Sequence, residues 1–153
     1  MPRRALLLLL LPLLASAASA GEVQGERELV ILDRPPSAEE IKLATRHGAH
    51  LLGRARAAKE TVQLRVNTYR DVVMMNLLAP SLCDPAKGCP LLVIRDLSRR
   101  PVLETVAYAN VLASVRGDTI TLTFQSGQTW TECTFSRGGR GRCKPPTLQK
   151  PAG

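Results

Sequence analysis

The chain has 153 residues and a formal charge of +8, from 21 Lys and Arg against 13 Asp and Glu. That length, less a leader, is one domain's worth. Only five aromatics are present (Tyr69, Tyr108, Phe124, Trp130, Phe135), so the core must be built mainly from Val, Leu, Ile and Met.

The first element is an export signal. Arg3 and Arg4 form a basic n-region, Ala5 to Leu14 is an apolar run, and Ala18-Ser19-Ala20 offers small residues for cleavage. A membrane span needs about 20 apolar residues, and this run is too short. No cysteine follows it to carry a lipid. Residues 1–20 therefore read as a cleaved secretory signal, residues 21–143 as a single α+β domain, and residues 144–153 as a Pro-rich disordered tail. Loss of the leader removes two arginines and leaves 133 residues with a charge of +6. No later apolar segment is long enough to span a membrane. Arg outnumbers Lys 16 to 5, a bias expected of a GC-rich bacterial genome, so the expected location is the periplasm or the medium.

After the frayed stretch 21–27 comes a short strand, "ELVILD" (28–33). "RPPSAEEIKLATRHGAHLLGRARAAKE" reads as one amphipathic helix. Pro36 closes it upstream, Ser37 and Glu40 make a capping box, and Glu39 and Glu40 complement the helix dipole. Ile41, Ala44, Gly48, Leu51, Leu52 and Ala55 fall on one arc. Lys42, Arg46, His50 and Arg54 step along the other, with His47 beside them. Gly48 weakens the helix by about 1 kcal/mol against Ala but allows close packing.

The remainder reads as β-structure. "TVQLRVNTY" alternates as a half-buried strand. "RDVVMMNLLAP" has both helical and strand spacing, and the cystine turn after it selects strand. "CPLLVIRD" and "PVLETVAYA" follow as strands. "NVLASV-RGD-TITLTF" is a hairpin, with Ile120, Leu122 and Phe124 on one side and Thr119, Thr121 and Thr123 on the other. "TWTECTF" sets Trp130 and Glu132 opposite Thr131, Cys133 and Phe135. The expected fold is an N-terminal helix packed on an antiparallel β-meander of about six strands.

An exported chain with an even cysteine count is expected to form disulfides. "CDPAKGC" and "CTFSRGGRGRC" each carry turn residues between their cysteines, so Cys83 should pair with Cys89 and Cys133 with Cys143. Zinc knuckles have shorter, paired spacings, and a redox C-x-x-C is absent.

No G-x-S-x-G, S-x-x-K or phosphate loop is present. His47 and His50, at i, i+3, could share a metal, but two ligands do not close a site and Arg46 and Arg54 oppose a cation. No metal and no cofactor are expected. Basic charge and one RGG suggest nucleic acid, yet the motif is a single copy trapped between cysteines of an exported chain, so nucleic acid is not expected. The functional expectation is a non-enzymatic domain that binds an anionic envelope component or a partner protein. Its candidate contacts are Lys42, Arg46, His50, Arg54, Arg137, Arg140 and Arg142. The alternatives are a small hydrolase or transferase with a site assembled from distant residues, and a metal-handling protein using His47 and His50.

Overall fold

A computed structural model describes residues 26–96, 100–137 and 141–148. The leader, residues 1–20, and the segment 21–25 lie outside the described residues. In chain order the elements are β1 (Glu28–Ile31), α1 (Ala38–His47), α2 (Ala49–Ala57), β2 (Gln63–Tyr69), β3 (Val72–Leu78), β4 (Cys89–Arg95) and β5 (Leu103–Ala107). Then follow β6 (Asn110–Arg116), β7 (Thr119–Ser126), β8 (Thr129–Phe135), β9 (Arg142–Cys143) and β10 (Thr147–Leu148).

These strands form two antiparallel sheets in place of the expected single meander. Sheet A runs β1-β6-β7-β8, with β9 and β10 both laid on β8. Sheet B runs β2-β3-β4-β5. The chain crosses between them twice. After β1, Leu32 N–H still donates to Ala109, just before β6 of sheet A, and two residues later Arg34 exchanges backbone bonds with Val66 of sheet B. Tyr108 and Ala109 carry the chain back from β5 to β6.

The two sheets bury one cluster between them. Val72, Met74, Leu91 and Val93 of sheet B meet Val111, Leu122, Phe124, Cys133 and Phe135 of sheet A. A second cluster covers the other face of sheet B, where Val66, Val73, Met75, Leu77, Leu92 and Ile94 pack on Leu43, Ala44, Leu51 and Ala55 of the helices. The order of layers is helices, sheet B, sheet A. This order explains "VVMMNLL" and "CPLLVIR". Strands covered on both faces need no polar alternation, and β3 and β4 are buried almost throughout. The one polar side chain inside β3, Asn76, donates to the Pro90 carbonyl at 3.2 Å. Sheet A is covered on one face only, so β6, β7 and β8 alternate as expected.

Two helices stand where one was expected. α1 begins with the capping box: the Glu40 N–H donates to Ser37 Oγ, and the Ser37 N–H donates to Glu40 Oε2 at 2.7 Å. It ends at Gly48, which is the N-cap of α2. A Cβ at Gly48 would lie 3.2 Å from Leu77 and 3.3 Å from Leu92, so the helices approach sheet B closely at this break. The break also shifts the faces. Leu43 is buried, while Ile41, assigned to the apolar arc, is exposed.

Glu40 is itself buried, and Arg34 grips it with both guanidinium nitrogens, at 2.6 and 3.1 Å. The hydrogen bond from Arg34, aided by those from Ser37, holds the Glu40 carboxyl below the usual range. A carboxyl depressed in the folded state binds fewer protons there than in the unfolded chain. Its stabilisation is complete above the unfolded pKa and is lost as pH falls through the folded one. Glu40→Gln should therefore cost about 1 kcal/mol at pH 7, discounted for the half-exposed Arg34. The gap from wild type should narrow below about pH 4. Urea unfolding at pH 7 and at pH 3.5 measures both values.

Both disulfides form as expected, Cys83–Cys89 and Cys133–Cys143. Part of the tail expected to be disordered has a structure: Thr147 and Leu148 pair with Trp130 and Thr129, continuing the edge that Cys143 begins.

Candidate functional site

The ladder registers sort the connections to two ends of the sandwich. At one end lie the Cys83–Cys89 loop, the crossing at Tyr108 and the β7–β8 turn. They are tied together by Tyr108 Oη donating to Ala86 O at 2.8 Å and Tyr108 N–H donating to Gln125 O at 2.9 Å. At the other end lie the β2–β3 turn (70–71), the described residues of the β4–β5 connection (96 and 100–102), the β6–β7 turn (117–118) and the described residues of the β8–β9 tip (136–137 and 141). Arg95 joins the sheets there. Its Nε donates to Asp71 Oδ2 at 2.8 Å, and its Nη1 donates to the Phe135 carbonyl.

Arginines gather at this second end. Arg70 holds left-handed backbone (φ 56°) at the tight β2–β3 turn. Arg116 closes β6, Arg137 sits in the β8–β9 tip and Arg100 in the β4–β5 connection. Asp71, Asp96 and Asp118 are the acids of the same turns. Asp71 is committed to Arg95 and also feels Arg137, and those interactions, the Arg95 hydrogen bond foremost, depress its pKa. Asp96 and Arg116 also have partners. The end of α1 adds Arg46 and His47. Burial first, then the charges of Arg46 and Arg100, lower the His47 pKa, so this imidazole is neutral at pH 7. Its buried Nε2 has no hydrogen-bond partner among the described residues.

The expected contact residues do not form one surface. Lys42, Arg46, His50 and Arg54 are exposed on the helix layer, as their spacing requires. Of these, His50 Nε2 lies 2.7 Å from Glu104 Oε1 and Arg54 donates to Ser81 O at 3.2 Å, so both are engaged within the fold. Arg46 lies beside His47, whose imidazole also feels the charge of Arg100. Arg142 pairs with Thr134 at the opposite outer face, Arg137 is at the tip, and Arg140 lies outside the described residues. The proposed His47–His50 pairing loses its premise, because Gly48 separates the two onto different helices.

Sequence reasoning missed Arg70, Arg100 and Arg116. They come from three separate turns, and only strand pairing brings those turns to one end. It also missed a groove of about 340 Å³ on the uncovered face of sheet A, lined by Arg27, Leu112, Thr123, Trp130, Glu132 and Leu148 among others. Glu132 lies in it between Lys144 Nζ at 2.5 Å and Arg27 Nη2 at 3.8 Å. The Trp130–Glu132 alternation was the available signal. The groove and the His50–Glu104 pair lie on opposite layers, so they do not combine into one reaction site. Comparison with protein-family models, with curated proteins and with solved structures finds no match.

Proposed function

We propose that the chain acts outside the cytoplasm, in the periplasm or the medium, as a binding domain whose arginine-bearing end holds an anionic component of the cell envelope. The observation that carries this reading is the gathering of Arg70, Arg100, Arg116 and Arg137 at one end, with Arg46 next to them beside His47. Asp71 there is bound by Arg95, and Asp96 and Arg116 also have partners within the fold. Guanidinium groups on turns present forked donors suited to phosphate and carboxylate oxygens. The sandwich below fixes where the turns sit. The leader and the two cystines support the location, since disulfides persist in oxidising compartments. An acidic partner protein would be recognised by the same groups and is the alternative outcome.

The test is retention on vesicles carrying lipopolysaccharide, in parallel with neutral vesicles. Arg46→Glu, Arg100→Glu and Arg137→Glu combined should weaken binding about tenfold or more at low salt, with the difference vanishing near 1 M, where the Debye length is about 3 Å. Lys42→Glu with Arg54→Glu, on the helix flank, should change binding far less. Equal effects of the two sets would assign retention to net charge and end the proposal of a defined site.

A further inference from the structure

We infer that β1 is a self-association edge, on which a second copy of this chain adds its own β1 antiparallel and joins two copies of sheet A into one continuous sheet. β1 is the terminal strand of sheet A. Leu32 N–H donates inward to Ala109, so the even-numbered residues turn their backbone groups toward β6, and the odd-numbered ones, Leu29 and Ile31, turn theirs to the free edge. Natural edge strands are guarded by lysine, proline or a bulge. "ELVI" holds none of these. Of the four large apolar side chains exposed among the described residues, two are in this four-residue strand: Leu29 at 55% and Ile31 at 45%.

The flanking charges select a register. With Val30 opposite Val30 of the second copy, Leu29 faces Ile31 and Arg27 faces Asp33, each twice by symmetry. Leu29 and Ile31 share the outer face by parity, so apolar meets apolar, and the exposed Arg27 and Asp33 flank that strand with opposite charges. On the other face Glu26 opposes Arg34. Shifting by two residues, to Glu28 opposite Glu28, sets like charges against each other. The Ile31 carbonyl already accepts from Asn67 Nδ2 at 2.8 Å and from the Asp33 N–H at 3.1 Å, so the two symmetry-related bonds from the Ile31 N–H to the Leu29 carbonyl carry the ladder, and the Leu29 N–H gains a partner there only by displacing one of those donors. The joined sheets would bring the two sets of Leu29, Ile31 and Leu112 into one apolar strip.

Sedimentation of the purified, oxidised protein from about 1 to about 100 µM covers the range of small interfaces. A concentration-dependent dimer is expected. Leu29→Lys, an exposed position that leaves the fold intact, should weaken it at least tenfold. Arg27→Asp should weaken it and Arg27→Asp with Asp33→Arg should restore it. Val30→Cys should give a covalent dimer on a non-reducing gel, whereas Leu29→Cys should not. A monomer throughout, a dimer indifferent to Leu29→Lys, or cross-linking through Leu29→Cys in preference to Val30→Cys overturns the proposal.

Discussion

Gly88→Ala is expected to be the most damaging glycine-to-alanine change among the described residues. Gly88 holds φ +106°, a conformation rare for L side chains. A Cβ there would lie 2.3 Å from the carbonyl carbon and oxygen of Ala107 and 2.7 Å from the amide nitrogen of Tyr108. All three are backbone atoms, so no rotamer change relieves the overlap. The loop itself cannot yield. Its ends are joined by Cys83–Cys89, and within it Asp84 and Gly88 exchange backbone bonds at 2.7 and 2.8 Å. Ala107 and Tyr108 are where the chain leaves sheet B for sheet A, so moving them disturbs both sheets. Strain at a special φ together with a backbone clash should cost about 3–5 kcal/mol, measured by urea unfolding of the oxidised protein. Gly117→Asn is the control. Gly117 is also left-handed (φ 57°) but has open space around it, and Asn tolerates that region, so the change should stay within about 1 kcal/mol. Similar losses at the two positions would show that φ, and not the packing against Ala107, sets the cost.

The second large effect concerns the ion pair between the sheets, and its sign is counter-intuitive. Arg95 is 7% exposed, whereas the Asp71 side chain is 44% exposed. Removing the arginine leaves a carboxylate that water can reach and one carbonyl without its donor. Removing the carboxylate leaves a guanidinium enclosed between two sheets with the Phe135 carbonyl as its acceptor. A stranded buried charge costs more than a stranded exposed one. Asp71→Ala should therefore cost about 2–3 kcal/mol at pH 7, reduced from the fully buried case because Asp71 is partly solvated. Arg95→Met should cost about 1–2 kcal/mol. The double variant should resemble Arg95→Met alone. Strictly additive losses would rule out this account. The pH dependence follows the same sign as at Glu40. The Arg95 hydrogen bond depresses the Asp71 pKa, so the contribution is present above the ordinary carboxylate pKa and disappears as pH falls below it.

How much of this was legible in the sequence depends on how local each determinant is. The Ser37–Glu40 box, both cystines and the β6–β7 hairpin are set by residues within about ten positions of one another, and all could be read. "DVVMMNLL" was ambiguous for a physical reason: β3 is covered by sheet A on one side and the helices on the other, so the period-two signal that marks a strand is erased. The split into two sheets could not be read. It depends on where the chain crosses, at Asp33–Arg34 and Tyr108–Ala109, and neither crossing carries a turn signature. The Arg34–Glu40 grip spans six positions yet was missed, because Arg34 preceded the helix and read as linker. Arg95 resembled the polar end of a strand, and only its register opposite Val72 sends it inward. The arginine-bearing end depends on contacts between turns tens of residues apart.

The two ends of the sandwich are built unequally, and this has a consequence for divergence. One end is sutured: a cystine loop, a glycine pressed on a chain crossing and a tyrosine hydroxyl bind both sheets together. At the other end the described residues are turns between strands, and the Arg95–Asp71 pair joins the two sheets there. Change at the sutured end propagates into the core. At the other end a turn can lengthen or exchange side chains while the ladder beneath keeps its register. A lineage carrying this fold would accumulate novelty at the arginine-bearing turns and hold the Cys83–Cys89 loop nearly fixed, much as a tool keeps its handle while the bit is changed.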